Sequence, residues 1–145
     1  MGIAAMVFTA ACKKTENETE GPVICLENNI LLGYWELREE QSSMLPVQKY
    51  VAGNGNKVNF TNQAYAFSAK GQVTQSGPYT VVNDTAVSAS TCLNLPPNQF
   101  YRIVFDSNYT ATKTYISVMG NKLRLVSGCF ALDAGSLRTY EKVMP

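Results

Sequence analysis

Apolar and polar residues alternate with a period of two through most of the chain beyond residue 30. In GYWELREE, Gly33 to Glu40, Trp35 and Leu37 fall on one face and Glu36 and Arg38 on the other, the pattern of a half-buried strand. Val58 and Phe60 share a face in KVNFT, Tyr65 and Phe67 in AYAFSA, and Tyr79 and Val81 in QVTQSGPYTVV. FYRIVFD, TKTYISVM, KLRLV and SLRTYEKV bring the number of predicted strands to eight. Lys70-Gly71 and Gly120-Asn121 are tight-turn signals between neighbours. Nowhere does an apolar pattern of period 3.6 run long enough for a helix, so the chain reads as all-β. Short turns between successive strands predict an up-and-down meander. Eight such strands close most economically into an antiparallel β-barrel, which leaves no exposed edge.

Two longer connections interrupt the meander. Residues 41–56, QSSMLPVQKYVAGNGN, carry Met44, Leu45, Tyr50 and Val51 among polar neighbours. Structureless loops of that length are usually functional or disordered. The apolar content predicts packing on the open end of the barrel, with Met44, Leu45 and Tyr50 as a lid. The AGNGN at the end of this loop lacks the lysine and the following helix of a phosphate loop and reads as a turn. The second connection, residues 84–99, carries Cys92 and the pair Pro96-Pro97.

Length and charge narrow the functional classes. The 145 residues are enough for one sizeable core and too few for two typical domains. Twelve basic residues against eleven acidic give a net charge of +1, with no basic field to attract nucleic acid. The absence of histidine removes imidazole as a base, a proton shuttle or a metal ligand, and with it serine triads, Cys-His dyads and the common zinc sites. No cofactor or metal is expected.

The N-terminal stretch from Ile3 is apolar and uncharged and ends in Ala10 and Ala11 before Cys12. At about ten residues it is well below the roughly twenty needed to span a bilayer, and its small-residue end is that of a secretory signal. The basic residues that normally precede such a stretch are missing, which points to a start upstream of Met1. TAAC, Thr9 to Cys12, resembles the bacterial lipobox, although Thr9 stands where leucine is usual. The resemblance implies a partial signal peptide over 1–11, lipid attachment at Cys12 and a polar tether through residue 28, as in lipoproteins of the Bacteroidetes. The domain proper is then 29–145. Localisation would be the bacterial cell envelope, lipid-anchored to the outer membrane, with no other membrane contact.

Three cysteines remain in the exported chain: Cys25, Cys92 and Cys129. No pair has C-x-x-C spacing, so a thioredoxin-type or zinc-knuckle role has no support. Export favours one disulfide and one free thiol. Cys92 and Cys129 both lie in loop-like sequence and form the simplest pair, with Cys25 an alternative partner for either.

Gly33-Tyr34-Trp35 at the head of the first strand, followed by a long first loop, resembles the G-x-W signature of the lipocalins and the wider calycin group. In that group the tryptophan plugs the closed barrel end and an arginine of the last strand packs across the ring. The resemblance assigns that place to Arg138 and implies a lipocalin-like barrel over Gly33 to Val143. A cation over an indole is worth about 0.5 to 2 kcal/mol. A β-sandwich outside this group and an avidin-type barrel are the alternatives, the latter weakened by the single tryptophan.

Tyr65, Phe67, Tyr79, Tyr101, Ile103 and Phe105 are the candidate lining of a ligand cavity, or equally the filling of a barrel this small. Glu36, Glu39 and Glu40 could act as carboxylate catalysts, but their alternation and the flanking Arg38 read as a solvated edge. Asn-x-Thr triplets at Asn17, Asn59, Asn83 and Asn108 and the Asp84-Thr85-Ala86 triplet, similar to an O-glycosylation motif of the Bacteroidetes, are short enough to be composition. The expected function is therefore the holding of a small apolar or amphipathic ligand in the barrel. A filled barrel serving as a structural or interaction module is the alternative, and catalysis is not expected.

Overall fold

The computed structural model describes residues 30–84, 101–128 and 134–145. Among them are nine strands and no α-helix. They are β1 (Gly33–Ser42), β2 (Gln48–Lys49), β3 (Lys57–Phe60), β4 (Ala64–Ala69), β5 (Gln72–Asn83), β6 (Tyr101–Phe105), β7 (Thr114–Met119), β8 (Lys122–Ser127) and β9 (Ser136–Val143). From β3 to β9 each strand pairs antiparallel with the next, and β9 pairs with β1 from Tyr34↔Val143 to Ser42↔Ser136. The sheet thus closes into an eight-stranded, lipocalin-like up-and-down barrel. The ninth strand, β2, extends the β1 edge beyond β3, with Glu39 opposite Lys49. All eight predicted strands are present, and β2 is the addition. Cys12, Cys25, Cys92 and Cys129 lie outside the described residues, as do the predicted signal segment, the tether and most of the 84–99 connection.

The alternation read from the sequence supplies the core. Trp35 and Leu37 of β1, Val58 and Phe60 of β3, and Tyr65 of β4 are buried inside the barrel together with Ile116 of β7, Leu123 of β8 and Tyr140 of β9. At about 25 cal/mol per Å² of apolar area, side chains of this size each favour the closed barrel by about 1.5 to 3 kcal/mol.

Trp35 seals one end. Its indole is fully buried and its Nε1–H donates to the carbonyl of Leu31 at 2.7 Å. Leu31, in the turn that leads into β1, is itself fully buried beneath it. The cation at this ring is Lys142, whose Nζ stands 5.2 Å from the ring centroid. This corrects the expectation for Arg138. Because β9 runs antiparallel to β1, Lys142 lies opposite Trp35, whereas Arg138, near the start of β9, lies opposite Glu40 toward the other end of the barrel.

Two bulges interrupt the ladders. The first sits in β1, where Leu37 faces Tyr140 and Glu39 faces Thr139, so that Arg38 is the extra residue. The second separates Phe67↔Gln75 from Ser68↔Val73 and makes Thr74 the extra residue of β5. A bulge shifts the in-out alternation by one position. Past Arg38 it turns Glu40 to the face that carries Arg138 and Tyr140.

The solvated edge expected around Glu36 is also corrected. Glu36 is only 2% exposed because the AGNGN turn folds over it. Its Oε2 accepts from Arg38 and from the Gly53 N–H, and its Oε1 from the Gly55 N–H. Arg38 also donates through Nε to Glu141 at 3.2 Å. Glycine is required at Gly55, where φ is +78° and a Cβ would come within 2.8 Å of the Gly71 amide nitrogen. The sequence reading of a turn was right, and the turn's amides hold the protein's own carboxylate.

Candidate functional site

At the end opposite Trp35 the barrel opens into a cleft of about 290 Å³. Its floor is apolar, from Leu37, Phe67 and Tyr140, and its rim is polar. Glu40, Lys57, Thr74 and Arg138 line it, together with Tyr50. Both bulges lie at this cleft. The one at Arg38 delivers Glu40, and the other delivers Thr74, whose hydroxyl is tied to the Phe67 carbonyl at 3.3 Å.

Glu40 organises the rim. Its Oε1 accepts from Arg138 Nε at 2.8 Å and its Oε2 from the Tyr50 hydroxyl at 3.1 Å. Burial and then the Glu40 carboxylate raise the pKa of Tyr50, so it remains a hydrogen-bond donor at neutral pH. Burial raises Tyr140 too, against the opposing influence of the Arg138 charge. The Arg138 side chain is 47% exposed, and besides Glu40 its guanidinium is hydrogen-bonded to the Tyr140 side chain. Lys57 has no ion-pair partner among the described residues.

Of the six residues expected to line a cavity, Phe67 lines this cleft. Tyr65 and Ile103 are fully buried, and Tyr79, Tyr101 and Phe105 pack against the core. Tyr65, Phe67 and Phe105 form a triangle of rings with centroids 4.5 to 5.6 Å apart. Such tilted and edge-on contacts are favourable beyond the area they bury. Tyr65 donates to Asp106 at 2.7 Å and accepts from Gln75 at 2.7 Å. Burial and the Asp106 bond push its pKa up to about 12. Gly77 makes room for this cluster, since a Cβ there would lie 1.9 Å from an Asp106 carboxylate oxygen. These aromatics therefore fill the middle of the barrel, and the cleft is confined to one end.

The lid divides in the same way. Tyr50 lines the cleft, but Met44 and Leu45 are 83% and 66% exposed and do not cover it. Their position follows from the length of β1. The strand runs to Ser42, and Leu45 N–H closes the turn onto the Ser42 carbonyl at 2.8 Å. Ser43 then bonds Gly135 through both its amide and its hydroxyl. The hairpin is thereby pinned beside the start of β9.

Sequence reasoning did not place Glu40, Lys57, Arg138 or Tyr140 in a ligand site. One signal was available, because alternation in SLRTYEKV puts Arg138 and Tyr140 on a common face. The other half of the rim depends on the bulge at Arg38, for which the sequence carries no turn residue. Among the described residues no three His, Cys, Asp or Glu side chains converge as metal ligands would. Comparison with family models, with curated proteins and with solved structures gives no match, so the chemistry of the cleft itself carries the functional reading.

Proposed function

We propose that this chain is a lipid-anchored, lipocalin-like protein of the bacterial cell envelope that holds a small amphipathic molecule at the mouth of its barrel. The supporting observation is the cleft of about 290 Å³, with Leu37 and Phe67 at its floor and Glu40, Lys57 and Arg138 at its rim. Ligand sites pair apolar walls with a few placed polar groups, and this volume falls just under their usual range of about 300 to 1,000 Å³. The reading is one of binding and not catalysis. A ligand in this place leaves the aromatic middle of the barrel intact and reaches solvent through the rim.

Organic extraction of the purified protein followed by mass spectrometry tests the binding reading, with a stoichiometric small amphiphile as the expected result. A filled barrel acting as an interaction module is the second reading. It draws on the exposed Met44, Leu45, Val47 and Val51 of the first hairpin and the turn after it, and it predicts an empty extract. The anchor rests on TAAC alone. Cys12→Ser should leave the chain unprocessed and without lipid label in its native host, and normal processing of that variant would remove the anchor from the proposal.

A further inference from the structure

We propose that two copies of this chain pair edge to edge through β5, antiparallel about Thr74, and so join their barrels into one continuous sheet. The order of strands closes the barrel, but β5 has 12 residues and its neighbour β6 only 5. Those two pair from Tyr79↔Phe105 to Asn83↔Tyr101, whereas β4 pairs with β5 from Ala64↔Pro78 to Ala69↔Gln72. Residues 72–77 are therefore held on the β4 side alone. Beyond the β4 ladder, residues 72–76 make no backbone hydrogen bond among the described residues. All of residues 72–76 are exposed, Val73 to 65%, so an incoming strand meets no covering layer.

Two other incompletely paired edges differ from this one. β2 is only two residues long, carries Lys49 and follows Pro46, the devices by which sheet edges avoid association. β7 pairs with β6 only at Thr114 and Tyr115, and Ile116, Ser117 and Val118 after them are buried. The β5 edge over residues 72–77 has neither charge nor proline. Its one irregularity is the bulge at Thr74. A two-fold axis makes every contact between copies reciprocal. With that axis at Thr74, the extra residue of each strand faces its own counterpart. Gln72 and Val73 of one copy then meet Ser76 and Gln75 of the other, with no like charges directly opposite. A strand of another sequence would have to match the irregularity at Thr74, whereas a second copy supplies the match by symmetry.

Sedimentation equilibrium on the whole purified protein, with free thiols blocked, tests this. A join of one strand a side is smaller than a standard interface of about 1,600 Å². Association should therefore be weak and reversible, the average mass rising toward twice that of one chain as concentration approaches about 1 mM. Val73→Lys adds the charge that commonly blocks sheet edges and should weaken association at least tenfold. If that variant does not fold, Gln72→Lys carries the same expectation. Leu45→Lys, in the exposed hairpin after β1, should associate as the parent does. Amide exchange at residues 72–76 should slow as concentration rises. A single-chain mass at every concentration, parent-like association of the β5 variants, loss of association in Leu45→Lys, or exchange at residues 72–76 that is independent of concentration would each overturn the pairing.

Discussion

Trp35→Ala should destabilise the barrel by about 3 to 5 kcal/mol, the cost of emptying a large aromatic site in a close-packed core. Total stability of domains of this size is typically about 5 to 15 kcal/mol, so the variant should be marginally folded at room temperature. Two features place it at the severe end. The indole is fully buried, and its removal leaves the Leu31 carbonyl without the Nε1–H that it accepts at 2.7 Å. In the parent protein the tryptophan emission should be blue-shifted and poorly quenched by iodide, with urea melts giving the stability difference. A double-mutant cycle with Lys142→Met should show coupling of about 0.5 to 1 kcal/mol, the scale of an exposed cation–π contact. The same cycle with Arg138→Met should be additive, because distant side chains with no shared partner do not couple. Coupling to Arg138 and not to Lys142 would contradict the β1–β9 register.

Glu36→Gln should cost about 1 to 3 kcal/mol, the penalty for weakening charge-assisted hydrogen bonds at a buried group. A figure at the top of the range for buried pairs is not expected, since the Arg38 side chain is 21% exposed and water screens part of the interaction. Glutamine keeps the shape but leaves Arg38 balanced only by Glu141, and it offers the Gly53 and Gly55 amides a weaker acceptor. The effect should depend on pH. Burial alone would push the Glu36 carboxyl up, but the Gly53 amide, Arg38 and the Gly55 amide together hold it below its ordinary value. A carboxyl lowered in the folded state stabilises fully above its unfolded pKa, and the stabilisation is lost as pH falls through the folded pKa. Parent and variant should therefore differ most at pH 7 and converge on acidification below about pH 4. Urea melts at pH 7 and pH 3 measure this. An equal difference at both would mean that the Glu36 charge contributes nothing.

The barrel was legible because burial on a pleated strand leaves a period of two in the sequence. Trp35 with Leu37, Val58 with Phe60 and Tyr65 with Phe67 each point into the barrel as their spacing predicted. The turns at Lys70-Gly71 and Gly120-Asn121 were legible for a related reason. Gly71 and Gly120 adopt φ of +81° and +60°, a region in which glycine pays no steric penalty. The aromatic residues of β4 to β6 were correctly identified as inward-facing, but inward-facing residues either line a space or fill it. Which of these holds depends on ring packing across strands that are far apart in sequence, such as Tyr65 against Phe105.

The sequence by itself determined the class of the fold, the inner face of most strands and the place of Trp35 in the core, all of which follow from local alternation and turn chemistry. The tertiary structure decided where the chain can hold a ligand. One extra residue at Arg38 reverses the alternation in β1 and brings Glu40 opposite Arg138. A five-residue turn curls back to bury Glu36, and antiparallel pairing of the first and last strands gives Lys142, not Arg138, to the tryptophan. Each of these depends on register between segments up to about a hundred residues apart. Pairing of that kind is fixed by the closure of the whole barrel, and a local pattern of apolar and polar residues does not encode it.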